Sequence, residues 1–148
     1  MKNLPIANIS IVTLGVENLS VSTQFYEKLG WVNTTASQDS VSFLQGNSIV
    51  LGLYNRADLA KDAGVVDEAA GFRGVSLAIN LQDQTKVDEF FSHAVACGAK
   101  AVKIPQKVFW GGYSGYFSDP DDHLWEVAFN PFFKGNVENG QLKLEQKQ

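Results

Sequence analysis

The chain has 148 residues, of which 45% are hydrophobic and 19% are charged. This composition excludes an intrinsically disordered chain, and the length suits a single domain. The net charge of -4 argues against a general nucleic-acid partner, which would require a basic face. A single cysteine, Cys97, excludes an intramolecular disulfide framework, and two histidines leave any transition-metal site short of its commonest ligand.

The chain carries no sign of a membrane or secretion segment. No stretch approaches about 18 consecutive apolar residues, so we expect no transmembrane helix. The first residues lack an apolar run followed by a small-residue cleavage site, which a signal peptide would show. We therefore expect a cytoplasmic protein with no membrane partner.

The first half begins with a strand and a helix. Residues 9–16 are rich in β-branched side chains and predict a strand. Asn18 or Ser20 can cap the helix that follows, since a short side-chain oxygen can accept a hydrogen bond from a first-turn N–H. Gly30 stands where such a helix would end. The apolar stripe of the helix repeats every four residues, at Val21, Phe25 and Leu29.

Three short strands are predicted to follow, at residues 31–36, 40–45 and 48–54. Gly46 and Asn47 favour a tight hairpin turn between the last two. Residues 55–73 then break the pattern, with a short helix possible over residues 56–61. A connection of this length inside a compact domain is often a functional lid or a linker.

The second half repeats the order of the first. Residues 74–81 predict a strand, Asp83 can cap a helix, and Gly98 can end it. The apolar positions of that helix are Val87, Phe90, Phe91, Ala94 and Val95. Three further strands are predicted at residues 100–106, 113–118 and 124–129. The polar tail after Pro131 is expected to fray or to lie on the surface.

The chain therefore consists, at the level of pattern, of two similar βαβββ modules. The first covers about residues 5–54 and the second about residues 74–131, with the linker at 55–73 and the polar tail at 132–148. This order predicts an α+β fold within one domain and indicates an internal duplication.

Several local strings resemble the vicinal oxygen chelate superfamily, the group of glyoxalase, bleomycin-resistance and extradiol-dioxygenase-type proteins. They are found at residues 14–19, 25–31, 110–117 and, most specifically, in the Asp-Pro-Asp-Asp-His-Leu-Trp-Glu string at 119–126. The resemblance covers about residues 5–131. It implies two βαβββ modules forming an incompletely closed barrel around a pocket, and a homodimer.

In many enzymes of this family, one metal is held by a His or Gln on the first strand of each half and a Glu on a last strand. The corresponding positions here are Ile11, Ser76 and Glu126. Isoleucine cannot ligate a metal and serine is a poor neutral ligand, whereas catalytic zinc needs about three protein ligands. We therefore predict no cofactor, while the resemblance leaves a divalent metal open.

Glu126 is the most informative single residue, because a charged group in an apolar strand must be solvated, paired or used. It can be a pocket carboxylate that serves as a general base or accepts a hydrogen bond from a ligand. Alternatively, it forms a salt bridge with Arg73 or a lysine. His123, three residues away, should face the opposite side and bond backbone or solvent in the turn. His93 is expected to be a solvated surface residue.

Residues 109–117 interleave large aromatic side chains with glycine. Such a run offers flat apolar walls beside a closely approaching backbone, which is typical of pockets for small organic ligands. We therefore predict Trp110, Tyr113 and Tyr116 as pocket residues, with Tyr54 and Ser76 as weaker candidates. The alternative is that some of the aromatic residues belong to the core.

These observations favour a small-molecule-binding protein of the bleomycin-resistance kind, without the family's catalytic metal. The alternative is a glyoxalase-type lyase, isomerase or dioxygenase that uses Glu126 as a base or metal ligand. A third hypothesis is a domain used mainly for protein–protein contact. The resemblance bears on fold more directly than on function, since one scaffold hosts many activities.

Overall fold

The computed structural model describes residues 7–68, 71–133, 135–138 and 140–147. The predicted start of the first module, part of the linker and single tail positions lie outside these residues. Within the described ranges, no helix is long and apolar enough to cross a membrane.

Two four-stranded sheets of identical strand order form the framework. The first contains β1 (Ile11–Val16), β2 (Val32–Asn33), β3 (Val41–Gln45) and β4 (Val50–Asn55), in the order β1-β4-β3-β2 with β1 parallel to β4. The second contains β5 (Leu77–Asn80), β6 (Lys100–Lys107), β7 (Tyr113–Ser118) and β8 (Leu124–Phe129), in the order β5-β8-β7-β6 with β5 parallel to β8. The α+β class is confirmed, and the described strands close no barrel.

Three helices complete the two modules: α1 (Leu19–Lys28), α2 (Arg56–Ala63) and α3 (Gln84–Ala96). Side-chain oxygens of Asn18 and Asp83 accept hydrogen bonds from first-turn amides of α1 and α3, as predicted. Gly30 and Gly98 follow these helices with φ of +106° and +112°, a conformation that favours glycine. Helix α2 follows β4 directly and confirms the short helix predicted in the linker.

One core joins the two modules. Leu14 and Val16 of β1 turn towards α1, and alternate residues turn away to the opposite face of the sheet. From α1, the ring of Tyr26 lies 6.0 Å from that of Trp125 on β8, and Trp125 stacks on Phe117 of β7 at 6.3 Å. The helix-covered faces of both sheets therefore share a single apolar interior.

The predicted apolar stripe of α1 is wrong at one position, since Val21 is 49% exposed. The buried side runs instead through two polar residues, Ser22 and Thr23. Ser22 Oγ donates to Asp121 Oδ2 at 3.0 Å, and Thr23 Oγ1 donates to a backbone carbonyl one turn earlier at 2.7 Å. Because these hydroxyls are satisfied inside the protein, a pattern built from apolar residues alone misplaced the helix face.

The tail lies on the surface as expected, but part of it is paired rather than frayed. Short strands β9 (Val137–Glu138) and β10 (Gln141–Leu142) form an antiparallel hairpin. Gln82 Nε2 donates to the Val137 carbonyl at 3.3 Å and attaches the hairpin to the second module. Two-residue strands are too short to show a hydrophobic alternation, so the sequence pattern gave no sign of them.

Candidate functional site

The positions where the resemblance implies metal ligands lie on or beside the open faces of the sheets, opposite the helices. A Cβ at Gly52 would lie 3.0 Å from Thr13 Oγ1 and 3.4 Å from Ile11 Cγ2, so these side chains share the open face of the first sheet. Half-buried Tyr54 lies on the same face, and exposed Ser76 precedes β5. An isoleucine and a serine do not fit a metal, and no cluster of three or more His, Cys, Asp or Glu forms within the described ranges.

Glu126 has a tyrosine as its cross-strand partner on the open face of the second sheet. Tyr116 lies directly opposite it on β7, and Ala78 lies opposite it on β5. Burial, and then the charge of and hydrogen bond to Glu126, raise the pKa of Tyr116. The salt bridges of the described residues do not include Glu126, and Arg73 donates instead to the Asp121 carbonyl at 3.2 Å.

The structure separates the other aromatic candidates instead of collecting them. Tyr113 lies on the helix-covered face of β7, where its hydroxyl donates to Asp88 Oδ1 of α3 at 2.7 Å. Tyr116, three residues later, faces the other way. The indole of Trp110 covers Gly112 so closely that a Cβ there would lie 2.0 Å from it. The assignment of these residues, and of Glu126, to a ligand site stays a prediction.

A cavity of about 650 Å³ lies between β1 of the first module and two parts of the second, the segment that leads into β5 and the turn before β8. We refer to it as the seam cleft, lined by residues 12–15, 71–73, Val75, Leu77 and 122–124. Its walls are largely apolar, and its polar side chains are those of Thr13, Arg73, Asp122 and His123. The Asp122 carboxylate is paired with Lys100 at 2.7 Å. Its volume suits a small organic ligand, which such sites hold with a few convergent polar groups. None of the residues predicted as a site lines this cleft. The sequence suggested Arg73 only as a salt-bridge partner of Glu126 and His123 only as a turn residue.

A fully buried carboxylate lies directly behind the cleft. Asp119 Oδ2 accepts hydrogen bonds from the Tyr26 hydroxyl at 2.7 Å and from His123 Nδ1 at 2.7 Å. Its Oδ1 accepts from the backbone amides of Asp121 and His123, both at 2.9 Å. The imidazole of His123 was expected to bond backbone or solvent, but it is bound to this carboxylate.

The charge state of Asp119 fixes the tautomer of His123. Burial alone would raise the pKa of Asp119, but the hydrogen bonds from His123 and Tyr26 and the charge of His123 outweigh it, so the pKa is lowered. An ionised carboxylate only accepts hydrogen bonds, so Nδ1 of His123 carries the proton. Nε2 makes no hydrogen bond to any described residue, and the side chain, 14% exposed, lines the cleft.

Sequence reasoning missed this arrangement for a physical reason. Asp119 and His123 stand four residues apart in one turn, and that spacing was a usable signal for their contact. Tyr26 is 93 residues away from Asp119, and only the docking of the two modules brings them together.

Comparisons with known proteins agree with this fold. A sequence model of the Glyoxalase/Bleomycin resistance protein/Dioxygenase superfamily matches residues 8–127. A glyoxalase-related enzyme from Fulvimarina pelagi is 30% identical, with a TM-score of 0.82 over 95% of this chain and 100% of that chain. No curated protein matches.

More distant structures share the fold alone. A glyoxalase/bleomycin resistance protein/dioxygenase family enzyme from Burkholderia phytofirmans PsJN is 17% identical, with a TM-score of 0.74 over 83% of this chain and 98% of that chain. A lactoylglutathione lyase from Agrobacterium tumefaciens is 19% identical, with a TM-score of 0.65 over 87% of this chain and 98% of that chain.

Proposed function

The chain belongs to the glyoxalase/bleomycin resistance protein/dioxygenase superfamily, and from this membership we propose that it binds a small molecule without the family's catalytic metal. The observation that carries the proposal is the seam cleft. A fold shared by many activities leaves function to the site, and this site has a chemistry of its own.

The lining of the cleft defines the ligand. Val12, Leu14 and Leu77 offer an aliphatic wall to an apolar body. Arg73 donates from Nη2 to the Asp121 carbonyl. Its guanidinium has five N–H donors in all, so donors remain for a ligand. The Asp122 carboxylate also lines the cleft, but Lys100 neutralises it at 2.7 Å. The ligand that fits is therefore a small apolar molecule with one anionic group, which Arg73 binds.

Independence from metal rests on the donor set. Ile11 offers no donor atom at all, and Ser76 offers a neutral hydroxyl. Glu126 faces a tyrosine hydroxyl and an alanine rather than further ligands. One carboxylate is too few for a catalytic metal site.

Calorimetric titration with 2-naphthoate and with the neutral 2-naphthol tests this proposal. We expect saturable binding of naphthoate with a Kd below about 1 mM, and weaker binding of naphthol. Protein dialysed against EDTA should bind equally well. The absence of saturable binding, or its loss with EDTA, would overturn the proposal.

A pair of matched variants locates the bound ligand. Val75 lines the cleft and is 62% exposed, so Val75→Trp adds bulk there with little burden on folding. It should weaken naphthoate binding by about tenfold or more. Val102 on β6 is 53% exposed and does not line the cleft, so Val102→Trp should bind as the wild type does. Equal binding by both variants would place the ligand elsewhere.

A second candidate function is enzymatic, as a glyoxalase-type lyase, isomerase or dioxygenase with Glu126 as base or metal ligand. The pairing of Glu126 with Tyr116 on an open sheet face favours it, and the relative from Fulvimarina pelagi is described as an enzyme. Elemental analysis and turnover of Glu126→Gln decide the matter, with the exposed Glu138→Gln as control. A stoichiometric metal together with lost turnover would favour this function, whereas unchanged turnover would remove Glu126 from it.

The open face of the first sheet also supports a homodimer. Exposed Ile11 and Val32 present apolar surface there, which a second copy of the chain would cover. Light scattering after size exclusion should give twice the mass of one chain, and Ile11→Glu should shift it towards the monomer. A monomeric wild type would contradict this assembly.

A further inference from the structure

We propose that His123 is a general base in the seam cleft, and that the ligand of the cleft is a small 2-oxo acid from which Nε2 removes a proton. This inference rests on the proposed function, because the base acts on the molecule that the cleft binds.

The geometry behind His123 is that of an oriented base. A buried carboxylate, Asp119, holds Nδ1 at 2.7 Å and fixes the ring and its tautomer. The carboxylate is fixed in turn by the Tyr26 hydroxyl at 2.7 Å, and Trp125 Nε1 donates to that hydroxyl at 3.0 Å. Such a chain leaves the lone pair of the neutral imidazole on Nε2, which is the atom a general base uses.

Removal of a proton from carbon also requires a group that holds the substrate next to the base, and Arg73 supplies it. Its guanidinium lines the same cleft as His123 and can bind a carboxylate through two parallel hydrogen bonds. Leu14 and Leu77 line the cleft beside both groups, and His123 is 14% exposed. A 2-oxo acid with an apolar tail offers a carboxylate to Arg73, an acidic C–H bond next to its carbonyl to His123, and an apolar body to the walls of the cleft.

The step balances without a further reactant. The C–H bond next to the carbonyl breaks, and an N–H bond forms on His123 Nε2. The electron pair of the broken bond moves onto the carbonyl oxygen and gives an enolate, whose charge faces Arg73. In D2O the proton on Nε2 exchanges with solvent deuterium. Transfer of the deuteron from Nε2 to the same carbon then restores the ketone, so the carbon gains deuterium.

The same network also closes the turn, because Asp119 accepts two backbone amides. A purely structural role would use these bonds and the one to Tyr26. A structural role alone would not require Nε2 of His123 to lie on the wall of a cavity with no hydrogen-bond partner among the described residues. The two roles predict different behaviour when the ring alone is replaced.

Deuterium exchange at carbon 3 of 2-oxo-4-phenylbutanoate, followed by proton NMR in D2O, tests the base. The wild type should accelerate exchange, and His123→Gln should slow it by about 100-fold while the Kd for the acid stays within about twofold. The control is His93→Gln, since His93 is exposed, bonds the Lys28 carbonyl and does not line the cleft. It should exchange as the wild type does.

Asp119 is a positioning residue, and its test has a spectroscopic readout. In Asp119→Asn we expect slower exchange with little change in Kd. The protein has two histidines, so its nitrogen NMR spectrum shows few imidazole signals. It should show His123 protonated on Nδ1 in the wild type and a mixture of tautomers in the variant.

The outcomes separate the two proposals. If the wild type binds neither this acid nor naphthoate, the proposed function and the base are both overturned. Saturable binding with exchange no faster than in His123→Gln overturns the base alone. A wild-type His123 protonated on Nε2 in its neutral form overturns the base as well, even if the variants do not fold.

Discussion

The hydroxyl of Tyr26 donates a 2.7 Å hydrogen bond to Oδ2 of Asp119, and this bond joins α1 of the first module to the turn before β8 of the second. Both side chains are fully buried. The same hydroxyl accepts from Trp125 Nε1 at 3.0 Å, so one oxygen of the first module bonds two residues of the second. The stability of the domain therefore depends on a polar contact between its halves.

Tyr26→Phe should destabilise the protein by about 1–3 kcal/mol, because it leaves Trp125 Nε1 unpaired and removes one donor from a buried carboxylate. Urea unfolding measures this change. The control is Tyr113→Phe, whose lost bond to Asp88 lies at the surface and should cost less than about 1 kcal/mol. Equal losses in the two variants would contradict a special role for the buried bond.

Acid should weaken the domain through Asp119. Its pKa is lowered in the folded protein, so the folded state favours the ionised carboxylate. The resulting stability is present above the ordinary value of 3.8 and is lost as the pH falls through the lower, folded-state pKa. The difference in urea midpoint between the wild type and Asp119→Asn should shrink below about pH 4. A difference that stays constant into strong acid would contradict this account.

Alkali should act on Tyr26 with the opposite sign. Burial first, and then the charge of Asp119, raise its pKa well above the ordinary 10.0. The folded state favours the protonated phenol, so this contribution is present below pH 10.0 and is lost as the pH rises further. The advantage of the wild type over Tyr26→Phe in urea should therefore decrease above about pH 10. An advantage that grows in alkali would argue against the burial of a neutral phenol.

The segment that borders the seam cleft is held by a paired arginine. Arg56 donates from Nε and Nη2 to the carboxylate of Asp67, at 2.8 to 3.1 Å. Asp67→Asn should increase amide hydrogen exchange in residues 64–68 and 71–75 and weaken naphthoate binding, with a loss of global stability below about 1 kcal/mol. Tyr113→Phe breaks an exposed hydrogen bond to Asp88 outside the cleft and serves as control. Unchanged exchange in Asp67→Asn would show that the pair does not hold the segment.

Local features were predictable from the sequence where local physics decides them. The bounds of β7 and β8 agree with the predicted residues 113–118 and 124–129, because both strands are dense in aromatic and apolar residues. The caps at Asn18 and Asp83 were also predictable, since each oxygen bonds an amide three residues later.

The seam cleft was beyond the reach of sequence patterns. It forms where two edge strands of different sheets meet, so its walls come from separate parts of the chain. The buried polar side chains Ser22 and Asp119 look like surface residues in a sequence, and their partners are 99 and 93 positions away. Tertiary hydrogen bonds of this kind override the local preference of polar residues for solvent.

Trp31 of the first module lies 6.4 Å, between ring centroids, from Trp125 of the second. The near-ultraviolet signal of the two indoles depends on how their surroundings are packed, and here each ring is part of the surroundings of the other. Near-ultraviolet circular dichroism, which vanishes when side-chain packing is lost, should register the parting of the halves even while each retains its strands and helices. The contact between Trp31 and Trp125 therefore provides a spectroscopic signal for the docking of the two modules.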